Sequence, residues 1–381
     1  MSTHGQIIIR PISEVAKYQK NLIPVNIPEF YSLKPQFMKV ADESRIRDGI
    51  VAFRDFLLLF CDILITDSHL YVKAPKKPSS IADYPFLFNV TNLLVDIGYH
   101  GKLTAGDNSL MVSQLPLCTV TIDKTGKKIQ PKISAGNMIE CLRFLVLCGF
   151  EFPGTNLDAK ALDISEAQKL EVTYPDNHLV LTGLKALSIA DMELRTGRRY
   201  WNDNNLLRCD YRLLKSEESD MLDVVIDFLH PLPEKVREFA IKLHQKYTGM
   251  GFNCINTRLG LVSFAYSYIG KSRKVLSERD IYSKRVWEFS YSIKDGYCIF
   301  VRPKKTDKYA EVIKTFHKAL QDKIAQGYGC DRKRNEPCQH GCQGIKIPLD
   351  DSILTIGNDI ETWLDNEVPE LLRNIVAGSV Q

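Results

Sequence analysis

The sequence predicts an α+β protein: an N-terminal mixed helical region followed by a C-terminal antiparallel β-meander flanked by helices. Three observations carry this. The first is a set of apolar, helix-length segments, each closed by glycine. The second is a pair of alternating runs, 286–293 and 296–302, joined by Lys294-Asp295-Gly296; Asp-Gly between alternating runs marks a hairpin because its turn needs positive φ values. The third is the composition, 44% apolar and 25% charged over 381 residues, which is that of a globular chain of two or three domains. It excludes a disordered tail, a collagen-like repeat and a membrane bundle.

Residues 1–41 hold four prolines and little periodicity and read as an irregular arm with a short strand at Ile7 to Arg10. Asp42-Glu43-Ser44 puts acids at a helix start, where they complement the dipole, and the helix runs to about Leu64. Lys73 to Ser80 is a loop. Helices then cover Pro85 to Ile97, Asn137 to Leu147 and Pro233 to Tyr247. Each ends at glycine followed by an aromatic: Gly98-Tyr99, Gly149-Phe150 and Gly251-Phe252. Glycine supplies the left-handed C-cap there, and the recurrence is either a shared helix-to-strand unit or a common way to end a helix. Glu171 to Tyr174 is a strand and Leu179 to Leu194 a helix. Glu217 to His230 is a helix starting at Ser216, and Pro231 and Pro233 break the chain after it. Residues 42–215 therefore form an N-terminal α+β domain and 216–381 a C-terminal one.

In the second domain, strands at 251–257 and 261–269 precede the hairpin. One helix spans Asp307 to Gln326, with Tyr309, Val312, Ile313, Phe316, Leu320 and Ile324 at helical spacing. A cysteine-rich loop covers 327–344, Ile345 to Pro348 is a short strand, and a final helix covers 358–375.

No apolar run near the N-terminus reaches the roughly 7–15 residues of a signal peptide, and Val51 to Ile65 falls short of the ~20 of a membrane span. The expectation is a cytoplasmic protein that does not enter a membrane. Thiols stay reduced there, so the ten cysteines are not a disulfide framework. Cys61, Cys118, Cys141, Cys148, Cys209, Cys254 and Cys298 lie singly or in apolar surroundings and read as small core residues.

The other three cysteines carry the sharpest chemistry. Cys330, Cys338, His340 and Cys342 supply a Cys₃His set for a structural zinc ion. On a straight strand Cys338, His340 and Cys342 would lie about 6.6 Å apart, too far for one tetrahedron, but Pro337, Gly341 and Gly344 permit the turn that converges them. The alternatives are an ordered loop with unligated thiols, or a redox pair such as Cys338 with Cys342, kept reactive by Arg332, Lys333 and Arg334.

The net charge is only +4. Residues 302–334, however, hold ten Lys/Arg against four Asp/Glu, a net +6, so the remainder is −2. Lys304, Lys305, Arg332, Lys333 and Arg334 are candidate contacts for an anionic small molecule or a nucleic acid; the alternative is a solvated helix face. The third feature is aromatic alternation. Phe264, Tyr266 and Tyr268 share one strand face, and Trp287, Phe289 and Tyr291 another. Tyr266, Tyr268, Trp287 and Tyr291 either line a pocket or form the core under the helices. Glu217, Glu218, Asp220 and Asp223 are explained by the helix dipole, and Arg198, Arg199, Tyr200 and Trp201 by a surface loop. No Walker A, zincin, nucleophile-elbow or EF-hand motif occurs.

The stretch Trp287, Gly296-Tyr297, Tyr309, Gly327-Tyr328-Gly329-Cys330, Cys338, Gly341-Cys342 and Leu349-Asp350-Asp351-Ser352 resembles conserved hypothetical bacterial proteins of anaerobic Gram-positive type. It covers the last hundred or so residues. The resemblance implies a bacterial cytoplasmic protein and assigns no activity or site residue. Three functions follow from the residues: a non-catalytic binding or regulatory protein with a cysteine-rich, zinc-holding loop; an enzyme on a small anionic molecule at an aromatic and basic pocket; or a nucleic-acid binder using 302–334.

Overall fold

The computed structural model describes residues 11–71, 85–104, 106, 108–116, 121–122, 128–129, 133, 135–160, 162, 169–197, 206–256, 262–268, 285–303, 306–325 and 345–368. The chain divides into two compact units, Met1–Ser219 and Asp220–Gln381. The class is α+β, and every pair of described strands is antiparallel.

The first unit is built on helices α1 (Ile12–Lys20), α2 (Glu43–Thr66), α3 (Pro85–His100), α4 (Ala135–Leu147) and α5 (Leu179–Gly197). Strands β1 (Lys102–Leu103), β2 (Ser109–Val112) and β5 (Leu170–Thr173) form one sheet, and β3 (Thr121–Ile122) pairs with β4 (Lys128–Ile129). Helix α2 starts where its sequence says. The Asp42 carboxylate accepts the Arg45 N–H at 2.9 Å, and Ile46, Ile50, Phe53, Phe60 and Leu64 form a buried stripe at helical spacing. Aromatic rings tie it to its neighbours: Phe56 meets Phe150 and Tyr174 edge-on, and Phe60 meets Phe144.

Helix α5 packs against both α2 and α3. The α2 crossing is a glycine-on-glycine contact. A Cβ built on Gly183 would sit 2.0 Å from the Gly49 carbonyl oxygen, so only glycine lets the backbones meet. The α3 crossing corrects one expectation. Gly98 does not end that helix, which continues to His100. Its missing side chain makes room for α5, because a Cβ there would meet Ser188 Oγ at 2.2 Å and Leu184 O at 2.7 Å. The end of α3 is instead held by Lys185 of α5, which donates to the Gly101 carbonyl at 2.6 Å. Gly149 and Gly251 do take the expected left-handed conformation, with φ 99° and 84°.

The arm expected over 1–41 is also corrected. Residues 12–20 are helical, and Ile12, Val15, Ala16 and Gln19 are buried on one face. Pro11 sits at the N-cap, where its missing N–H costs nothing. Leu33 bridges Lys215, and the Lys34 N–H donates to Leu214 O at 2.9 Å. The expected strand at Ile7 to Arg10 lies outside the described residues.

The second unit contains α6 (Met221–Leu229), α7 (Glu234–Gly249), α8 (Ala310–Ile313), α9 (Lys318–Ala325) and α10 (Ile353–Glu367). Its sheet runs in the order β10 (Ile345–Pro348), β9 (Gly296–Val301), β8 (Arg285–Ser292), β7 (Ser263–Ser267) and β6 (Asn253–Asn256). The β8–β9 hairpin forms as its turn residues dictate, with Gly296 at φ 65°. Helix α6 starts at Met221 and not near Ser216, because Asp220 is the cap and accepts the Leu222 N–H at 2.9 Å. Helix α10 begins at Ile353, five residues before the expected start.

The single helix expected over 307–326 is broken. Its middle is interrupted at His317, whose N–H donates to the Asp359 carboxylate of α10 at 2.6 Å. Gln321 Nε2 satisfies the carbonyls of Phe316 and Lys314, at 2.7 and 3.0 Å. The apolar stripe survives the break, with Tyr309, Phe316, Leu320 and Ile324 buried. No helix among the described residues is long and apolar enough to cross a membrane.

Candidate functional site

The two faces of the second unit's sheet differ in chemistry. Pairing puts Phe264 opposite Phe289 and Tyr266 opposite Trp287, so the two aromatic runs share one face. That face is packed core. Phe228 of α6 meets Phe264 edge-on, and Tyr247 of α7 meets Trp287 the same way. Of the four residues considered as pocket lining, Tyr266 and Trp287 are wholly buried and Tyr291 is buried against Tyr297, with rings stacked at 4.0 Å. Tyr268 is half-buried beside Phe252. Three of them are thus buried and not on an open wall.

Within this core one polar group stands out. The Tyr266 and Trp287 rings lie parallel, 3.7 Å apart with a 6° interplanar angle. The Tyr266 hydroxyl is 2.7 Å from His244 Nδ1 on α7, and Cys254 is the cross-strand neighbour of Tyr266. Trp287 Nε1 is buried with no hydrogen-bond partner. Burial pushes the Tyr266 phenol well up and the Cys254 thiol up to about 12. Desolvation holds His244 below its ordinary 6.5, opposed by the Asp220 carboxylate.

That depression fixes a sign. The folded state binds fewer protons at His244 than the unfolded chain, so the stability it supports is present above pH 6.5 and is lost as pH falls through the folded value. Thermal unfolding followed by tryptophan fluorescence is expected to fall as pH drops below 6.5, and His244→Gln is expected to flatten that slope. An unchanged slope in the variant would assign the acid sensitivity elsewhere.

The opposite face of the sheet is polar. A bulge between β7 and β8 places Ser267 opposite Arg285 and makes Val286 the extra residue. Arg285 therefore leaves the aromatic face and meets Glu288, Nε to Oε2, at 3.1 Å with both side chains buried. Ser290 Oγ and Cys298 Sγ are 3.0 Å apart on the same face. Lys346 holds Asp295 at the hairpin, which pulls that carboxyl below its ordinary range.

A second polar group, also absent from the sequence reading, surrounds the end of α3. Gln114 Nε2 is 3.1 Å from His100 Nδ1, and Asp96 lies one turn back, 3.9 Å from His100 Nε2. Desolvation lowers His100, with Lys185 adding to the effect, and desolvation also lowers Lys185. The Asp-to-His spacing of four residues was the available signal.

The scattered cysteines behave as core. Cys61, Cys141, Cys148, Cys209 and Cys298 are buried and Cys254 is half-buried. Burial pushes the Cys61 thiol up to about 12 and raises those of Cys148, Cys209 and Cys298. Cys118 lies outside the described residues. So do Cys330, Cys338, His340 and Cys342, and with them Lys304, Lys305, Arg332, Lys333 and Arg334. Among the described residues no group of His, Cys, Asp and Glu is placed to hold a metal ion. The described ends of the basic and cysteine-rich stretch are nevertheless neighbours: Val301 pairs with Ile345, and Arg302 stacks its guanidinium over Phe300 at 4.7 Å. No family model, curated protein or solved structure matches this chain.

Proposed function

We propose that this is a non-catalytic binding or regulatory protein of the cytoplasm whose working segment is 302–344, with Cys330, Cys338, His340 and Cys342 holding a structural zinc ion. The observation that carries this reading is the antiparallel pairing of Val301 with Ile345. The chain leaves the sheet at Arg302 and returns at Ile345 beside it. The basic segment and the three remaining cysteines thus belong to one excursion whose two ends are paired in the sheet. The buried, strongly protonated thiols elsewhere support the same division, since a thiol in that state packs and does not ligate. Zinc closes a loop of this composition by binding thiolates and imidazole, and Arg332, Lys333 and Arg334, close to the ligands in sequence, supply positive charge for an anionic ligand.

Thiol labelling tests the reading in the native protein. Three thiols, at Cys330, Cys338 and Cys342, are expected to be shielded while zinc is bound and to react quickly after a chelator is added. Cys61, Cys148 and Cys209 are expected to react only on unfolding. Equal reactivity with and without chelator would reject the zinc site. A nucleic-acid ligand would reveal itself by affinity that falls steeply with salt; a flat salt response would leave small anions as the ligand class.

A further inference from the structure

We propose that Trp287, Tyr266, His244 and Cys254 form a one-electron relay that carries an oxidising equivalent from the interior of the C-terminal sheet to a thiol on its outermost described strand. None of these residues belongs to the cysteine-rich segment, and the chemistry follows from three contacts.

Trp287 and Tyr266 are the two most readily oxidised side-chain types after cysteine, and here their rings are parallel at 3.7 Å with both residues wholly buried. Electron exchange between them needs no motion and crosses no water. The direction is set by where protons can go. A phenol gives up an electron readily only if its proton has a receiver, and His244 Nδ1 stands 2.7 Å from the Tyr266 oxygen. With His244 as the Nε2–H tautomer, the Tyr266 hydroxyl donates to Nδ1. Trp287 has no such outlet, because its buried Nε1–H faces no acceptor. An indole that has lost an electron there keeps its proton, remains strongly oxidising and draws an electron from Tyr266. Cys254 completes the path. It lies directly across from Tyr266 in the strand pairing and belongs to β6, the outermost described strand of the sheet. Its thiol is held protonated, so what it offers is a hydrogen atom.

A small one-electron oxidant takes one electron from Trp287. One electron passes from Tyr266 to Trp287 while the phenolic proton moves from Oη to His244 Nδ1, leaving a neutral tyrosyl radical and an imidazolium. The Cys254 S–H bond breaks and its hydrogen atom passes to Tyr266 Oη, which restores the phenol and leaves a thiyl radical. His244 releases its proton to solvent. Overall the oxidant gains one electron and Cys254 loses one hydrogen atom as an electron and a proton; a low-molecular-weight thiol then gives its own S–H hydrogen atom to the Cys254 sulfur and leaves as a thiyl radical, two of which couple to a disulfide. Sacrificing a restorable thiol spares the core aromatics from permanent oxidation.

The test uses the full chain and a ruthenium polypyridyl oxidant generated by flash-quench, with radicals trapped by rapid freezing and read by electron paramagnetic resonance. Cys254→Ala is expected to retain a tyrosyl signal that the unmodified protein lacks, because the terminal donor is gone. That signal is expected to vanish in Cys254→Ala combined with Tyr266→Phe, and to become a tryptophan-type signal in Cys254→Ala combined with His244→Phe. Thermal unfolding confirms that each variant is folded. The proposal is overturned by the same tyrosyl signal in the Tyr266→Phe double variant, which places it on another tyrosine. It is equally overturned by no difference between Cys254→Ala and the unmodified protein, or by Cys254 oxidation that Tyr266→Phe leaves unchanged.

Discussion

Gly183→Ala is expected to destabilise the N-terminal unit by about 3 kcal/mol or more, the upper range for overpacking a rigid contact. The added carbon would stand 2.0 Å from the Gly49 carbonyl oxygen, 2.6 Å from its carbonyl carbon and 2.7 Å from Phe53 Cβ. Two of those atoms are backbone and cannot rotate away. Relief therefore requires α2 and α5 to separate, and that breaks the most extensive helix pairing of the unit. Loss of helical signal in denaturant is the measurement. Gly249→Ala is the control: nothing lies within 4 Å of a Cβ built there, so it is expected to be neutral or slightly stabilising. Similar midpoints for the two variants would show that the crossing is looser than the backbone contact requires.

Trp287→Ala is expected to cost about 3–5 kcal/mol, the range for deleting a large aromatic from a closed core. The indole is wholly buried, stacked on Tyr266, and met edge-on by Tyr247 and Phe289. Its removal leaves a hole that rings on three sides cannot fill without unstacking from their own partners. Trp287→Phe keeps part of the contact and has no N–H to bury, so it is expected to lose much less. Because Trp287 Nε1 has no partner, the phenylalanine variant gives up no hydrogen bond. The unfolding midpoint of the two variants separates these expectations, and equal losses would contradict them.

The sequence disclosed what local chemistry determines. Lys294-Asp295-Gly296 specified the hairpin, Asp42 the start of α2, and alternation placed the aromatics on one face. What it missed was set by residues far along the chain. Gly98 carries a local C-cap signal, yet its use is decided by Ser188 on another helix. Periodicity over 307–326 is continuous, but Asp359 takes the His317 N–H and splits the helix. Arg285 has the parity of Trp287, and only the bulge moves it to the polar face. His244 and Tyr266 carry no mutual signal, since α7 and β7 meet only in the folded unit. Four prolines masked α1, although Pro11 begins it and the rest follow it.

The candidate zinc ligands were legible as residue types, three thiols and an imidazole within thirteen positions. Their convergence depends on turn geometry that spacing does not specify. Sheet pairing adds one constraint, because both ends of their segment emerge beside each other at Val301 and Ile345.

Elemental analysis of the full chain purified without chelator is the most direct test of the central claim. The account predicts about one zinc ion per chain, lost when Cys338 and Cys342 are both replaced by serine and retained when Cys61 is replaced. Zinc below about 0.1 per chain, or zinc that survives the Cys338 and Cys342 double replacement, would contradict it.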